Sequence, residues 1–296
     1  MNLWHSSENY LRKTIPLINK SSTKYVTTLY SCFHKLNDNN SVDILYRSEN
    51  FLVVNKPYDL VINSNNRDLK STLQTEIQTR FPELVNPELR HEFHFVHRLD
   101  YATSGVICLA LNKQAAKAAT NTFENRKAKK YYLALVHGHV KKSHLIISEP
   151  IGDDVREKNG NHKMCTGDSA FCERPRNSST ALLVLEIGTR NGKPATKLLL
   201  CPKTGRRHQL RVHCSHIGHT IIGDYTYSER QDTEPHRTFL HSYRLILENE
   251  VENLDVRTED PFKSSDPINQ WVPMKSLQVL NNSAFAAIDE LTSKMC

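Results

Sequence analysis

The chain has 296 residues, 38% hydrophobic and 24% charged, with a formal net charge of +7. That length fits one large domain or two small ones, and that apolar content can supply a real core. No apolar run nears the ~20 residues of a membrane helix, and seven scattered cysteines without a CxxC pair argue against a secreted disulfide framework.

Residues 1–41 are rich in Ser, Thr and Asn, and Glu8 is the only acid before Asp38. Arg12, Lys13, Lys20, Lys24 and Lys35 make the segment basic, as in a disordered or mitochondrial-targeting extension. Folded sequence begins near Val42. Val42 to Tyr46 and Phe51 to Asn55 predict two strands around a short polar turn. Ser71 with Gln74 has capping-box spacing, Leu73 and Ile77 give the helix an apolar stripe, and Pro82 ends it near Phe81.

A strand is predicted over 106–111. A helix follows from Asn112, with Ala115, Ala116, Ala119 and Phe123 on one face and the basic run Arg126 to Lys130 at its end. Further strands are predicted at Tyr132 to Val136, Leu145 to Ser148, Ala181 to Ile187, Thr196 to Cys201 and Tyr243 to Leu247. Residues 152–179 are polar and predict a long loop-like insertion. His208 to Ile217 predicts a helix stopped by Gly218, and Ala284 to Met295 another within a C-terminal tail over 263–296. Regular βαβ alternation is absent. The class is therefore α+β, a mixed and mostly antiparallel sheet with flanking helices.

Residues 97–105, HRLDYATSG, place a carboxylate in a tight turn between apolar segments. A lone Asp there would more often cap a loop than react. The nonapeptide nevertheless resembles, at every fixed position, the HRLDxxTSG signature of the RluA-type RNA pseudouridine synthases. Three further segments resemble the same family in the same order: FLVVNKP at 51–57, KYYLALV at 130–136 and PKTGRRHQLRVHCSHIGH at 202–219, continuing through Ile222-Gly223-Asp224-Tyr225-Thr226-Tyr227. The chain departs from the pattern at Asp59, where Gly is usual, at Asn63, where His is usual, and at His219-Thr220. The resemblance covers residues 42–262. The spacing, Asp59 and Asp260-Pro261-Phe262 look most like a eukaryotic subgroup, the type 1 domain-containing proteins.

The resemblance implies the pseudouridine synthase fold around a central catalytic cleft, over 42–262. It implies Asp100 as nucleophile, Arg211 as its charge partner and Tyr132 against the base, so these three are the expected catalytic residues. Strand alternation selects Tyr132 over its neighbour, because Tyr132, Ala134 and Val136 share one face. Arg98, Lys130, Arg206, Arg207 and Leu210 are the expected RNA-binding residues; Arg98 would fill the space vacated by a flipped base. The reaction needs neither redox step nor group donor, so no cofactor and no metal is expected.

The expected partner is RNA, whether tRNA, rRNA or mRNA. The protein would be a monomer, off the membrane, in the cytoplasm or mitochondria. The rival reading is a catalytically weak or inactive RNA-binding protein that retains the fold. A metal-dependent nuclease or deaminase would need clustered ligands, and His208, His213, His216 and His219 have no carboxylate or Cys completing a set.

Overall fold

Apolar runs in the middle of the chain form one long sheet in the computed structural model, which describes residues 42–66, 69, 71–157 and 163–295. The expected basic extension over 1–41 lies outside the described residues. The strands in chain order are β1 (Asp43–Arg47), β2 (Phe51–Lys56), β3 (His94–Phe95), β4 (Ser104–Ala110), β5 (Lys129–His137), β6 (His144–Ile147) and β7 (Ile151–Asp154). They continue as β8 (Met164–Thr166), β9 (Cys172–Arg176), β10 (Thr180–Arg190), β11 (Lys193–Pro202), β12 (Leu240–Leu247), β13 (Leu254–Arg257) and β14 (Trp271–Ser276).

Eleven strands make the main sheet, in the order β1-β2-β4-β12-β5-β11-β10-β14, with β3 on β4, β13 on β12 and β6 on β10. Every pairing in it is antiparallel except β4 with β12. Among the described residues four helices accompany it: α1 (Leu73–Arg80), α2 (Lys113–Glu124), α3 (Gln209–His216) and α4 (Asn282–Ser293). The α+β expectation is borne out. No helix among the described residues is long and apolar enough to cross a membrane.

Period-2 alternation sorts each strand between two cores. From β5, Tyr132, Ala134 and Val136 pack with Leu52 and Val54 of β2 and Leu73 and Ile77 of α1. Tyr131, Leu133 and Leu135 face the other way, onto Phe285 and Ile288 of α4. The Leu, Ile, Val and Phe side chains among these each contribute about 1.5–3 kcal/mol. Asn112 caps α2, as expected, its side chain accepting from Ala115 N at 2.8 Å. The box at α1 uses Thr72 and Thr75, one residue on from the expected Ser71 and Gln74.

Two expectations are corrected. Residues 152–179 are not a plain loop: β7, β8 and β9 form a separate three-stranded sheet, with Ile151 and Met164 packed on Val212 and Tyr227. These strands are short and polar, so no alternation marks them. Residues 263–296 are not a tail, because β14 hydrogen-bonds to β10 and closes the main sheet. Pro273 disguised that strand, but Pro is tolerated on an edge. Phe285 of α4 meets the Tyr131 ring edge-on at 4.9 Å and stacks against Tyr243.

The parallel contact between β4 and β12 is tight. Gly105 lies opposite Ser242 with φ +110°, and a Cβ there would sit 2.1 Å from the Ser242 carbonyl oxygen. Gly105→Ala combines backbone overlap with a left-handed φ. It should cost about 3 kcal/mol or more, read as a drop in thermal unfolding temperature. An unchanged transition would contradict this packing.

Candidate active site

The signature residues split between scaffold and cleft. His97 Nε2 accepts the Cys108 N–H at 2.8 Å while its ring stacks on Phe123. Burial lowers its pKa to about 3, which keeps it the neutral acceptor this bond requires. Leu99 is buried in the core. With these two anchored, Arg98 and Asp100 face the cleft. Thr103 N–H donates to the Asp100 carbonyl at 3.1 Å and closes the turn.

Lys56 of the Asn-Lys-Pro segment clamps that turn from below. Its fully buried ammonium donates to the carbonyls of Pro57, Leu60 and Tyr101 at 2.8, 2.8 and 3.1 Å. Burial pulls its pKa down to about 7, opposed by Asp59 and Asp100. Three carbonyl acceptors require three N–H donors, so the protonated form is the one the loops hold. Asp59 departs from the family's Gly but keeps the geometry Gly would supply, at φ 55°.

Arg211 lies between two carboxylates. Its Nη1 reaches Asp100 Oδ2 at 3.3 Å, as the expected pairing requires. Its stronger bond is to Asp224, with Nε and Nη2 donating at 2.6 and 2.9 Å to a carboxylate that is completely buried. Burial disfavours the cation, but these bonds to Asp224, with Asp100 behind them, hold Arg211 above its ordinary pKa. Tyr227 supports the pair: its ring lies 5.1 Å under the guanidinium and its N–H donates to Asp224. The sequence motif that contains Asp224 assigns it no role by itself. Its place directly after Ile221-Ile222-Gly223 was the available signal, since an acid in a buried run needs a cation.

His208, at a left-handed φ of 54°, brings Nε2 to 4.0 Å from Asp100 Oδ2. Burial and Arg211 lower its pKa to about 4, so the ring is neutral near pH 7. Gln209 and His213 are structural. Gln209 ties Ser179, Thr204 and Arg206 together, and His213 is buried against Ser178 and Thr180. Among the described residues, no group of three or more His, Cys, Asp or Glu side chains is placed to hold a metal.

A cleft of about 580 Å³ opens at Asp100, with Tyr132, Leu210 and Leu240 among its walls. Arg98, Arg126, Lys130, Lys203, Arg206 and Arg207 give it a basic rim. A second cavity of about 630 Å³ adjoins it, sharing Arg98, Asp100, Arg207, His208 and Arg211. All eight residues expected to act or bind therefore line one cleft. Tyr131 instead turns its hydroxyl to Asp289, at 2.7 Å. The basic run divides as well: Lys130 faces the cleft, whereas Lys129 pairs with Asp289 of α4 at 2.7 Å. Burial raises the Tyr132 pKa, so its phenol stays protonated near neutral pH.

The family model described as RNA pseudouridylate synthase matches residues 50–216. The chain belongs to the RNA pseudouridylate synthase family. Among individual proteins it is similar to RNA pseudouridylate synthase domain-containing protein 1 of Danio rerio, 42% identical over 86% of each chain. It is 34% identical to the dual-specificity RNA pseudouridine synthase RluA of Escherichia coli K12, over 69% of this chain and 85% of that protein. The solved structure of human RNA pseudouridylate synthase domain containing 1 superposes with a TM-score of 0.73 at 42% identity, covering 84% of this chain and 95% of that one. The pseudouridine synthase fold, the RluA-type assignment and the likeness to the type 1 subgroup are thus borne out.

Proposed function

We propose that this chain isomerises uridine to pseudouridine in structured RNA, as an intracellular monomer, with Asp100 as nucleophile. The observation that carries the reading is the position of Asp100. It lies where two cavities meet, 3.3 Å from a guanidinium that Asp224 already engages through Nε and Nη2. Arg211 orients Asp100 without fully neutralising it, which leaves a carboxylate able to attack the ribose C1′ or the base C6, or to assist loss of the C2′ proton. The N1–C1′ bond breaks, the uracil turns, a C5–C1′ bond forms, and the product is reached when C5 loses its proton and N1 gains one.

Tyr132 forms a wall against which the base can stack. Its protonated phenol supports that role; removal of the C5 proton would require it first to give up its own. Arg98 is exposed, has no ion-pair partner among the described residues, and stands where it can enter the stack a flipped uridine leaves. The direct test is pseudouridine formation in cellular RNA, with chelator present and no added metal. Absence of product from folded protein that binds RNA would favour the inactive RNA-binding reading.

The basic rim yields a second measurement. RNA affinity should fall steeply with salt, because each phosphate contact releases counterions. Replacing Arg126 and Arg206 with Gln should flatten the log–log slope by about 0.7 for each contact removed. Lys127 and Lys129, outside the cleft lining, should leave the slope unchanged when replaced in the same way. Equal effects from both pairs would argue against this cleft as the RNA path.

A further inference from the structure

Tyr101 and Tyr225 are large aromatic side chains left open to solvent, 56% and 53% exposed. A single exposed tyrosine needs no explanation. These two line the same cavity of about 630 Å³ beside the cleft. Each also follows, in the chain, one of the two carboxylates that share Arg211: Tyr101 after Asp100 and Tyr225 after Asp224. The Asp100–Arg211–Asp224 chain therefore fixes both attachment points at the edge of the reacting centre.

The backbone at each position is held while the ring is not. The Tyr101 carbonyl accepts from Lys56 Nζ at 3.1 Å, and the Tyr225 carbonyl accepts from Arg230 N–H at 2.8 Å. Among the described residues neither phenol makes a hydrogen bond, and neither ring has an aromatic or cationic partner. Tyr227, two residues on, shows the contrast: it is buried, and its hydroxyl meets Met164 N–H and His208 Nδ1. Lys163, Arg207 and Arg237 line the cavity with the two tyrosines and supply positive charge. Asp232, also in the lining, is already engaged by His137 and by the Gly223 N–H.

Free aromatic faces on a fixed backbone, beside cations, are what unpaired nucleobases stack on. We propose that Tyr101 and Tyr225 form a subsite for the unpaired bases flanking the target uridine. The substrate is then RNA whose target lies in a single-stranded loop or bulge, since paired bases have no open face to offer. This deepens the proposed RNA pseudouridine synthase reading and rests on it.

The test compares two fluorescent RNA dodecamers of equal phosphate content. One is oligouridylate; the other keeps one central uridine and has abasic riboses elsewhere. By fluorescence anisotropy at fixed salt, the wild type should prefer oligouridylate by about 5- to 150-fold for each stacked base. Tyr101→Ala and Tyr225→Ala should each lose one such factor, and the double variant both, while binding the abasic strand as the wild type does. Tyr101→Phe and Tyr225→Phe, which keep the ring, should retain the preference. A wild type without preference, or alanine variants that keep all of it, would overturn the subsite. Pseudouridine formation in cellular RNA is scored separately, so a stacking preference without product would count against the catalytic reading alone.

Discussion

Asp100→Asn should lower pseudouridine formation by at least about a thousandfold, as expected when a covalent nucleophile is removed, while leaving the fold and RNA binding in place. The two halves of this result have separate causes. The amide keeps the size of the side chain but carries no charge with which to attack carbon. Folding is spared because Arg211 keeps its two bonds to Asp224, and only the 3.3 Å contact from Nη1 is weakened. The stability change should stay within about 1 kcal/mol. Urea unfolding, RNA binding and product analysis on one preparation would check all three points. Measurable multiple turnover by the folded variant would remove Asp100 from the mechanism.

Arg211→Ala should behave differently, losing activity and stability together. It strips the cation from Asp224, whose side chain has no exposure to solvent. Breaking a buried pair from one side costs about 3–5 kcal/mol, because the remaining charge is left without a partner. The urea midpoint should fall far more than in Asp100→Asn. Removing both charges, as Arg211→Met with Asp224→Leu, should recover much of that stability and none of the activity. An Arg211→Ala protein as stable as the wild type would mean that Asp224 does not depend on this guanidinium.

The parts of the site that were legible in advance were contiguous. Asp100 sits in an unbroken nonapeptide, Arg211 in an unbroken helical segment, and Tyr132 is separated from Tyr131 by the KYYLALV resemblance together with period-2 alternation. The Asp224 bond was hidden because it depends on which face of α3 turns inward, and that is decided by packing against β8 and β11. The division of the basic run had the same origin: Lys129 and Lys130 are neighbours in sequence, yet a strand sends them to opposite faces. The small sheet of β7 to β9 and the edge strand β14 were missed because their residues are polar or include Pro273. Such strands are defined by hydrogen bonds to neighbours distant in the chain and carry no pattern of their own.

The parallel seam between β4 and β12 has a consequence for the way the molecule is made. Ser104 Oγ and His241 Nδ1 meet at 2.7 Å across 137 residues of chain. A ribosome delivers the chain from its N-terminus, so the strand after Asp100 emerges long before the strand that completes its edge. Arg211 and Asp224 likewise arrive late. Through that interval the nascent chain carries Asp100 with no guanidinium to orient it and no wall behind Gly105. The cleft around Asp100 is therefore complete only once β12, which supplies Leu240 to its wall, has been synthesised and seated.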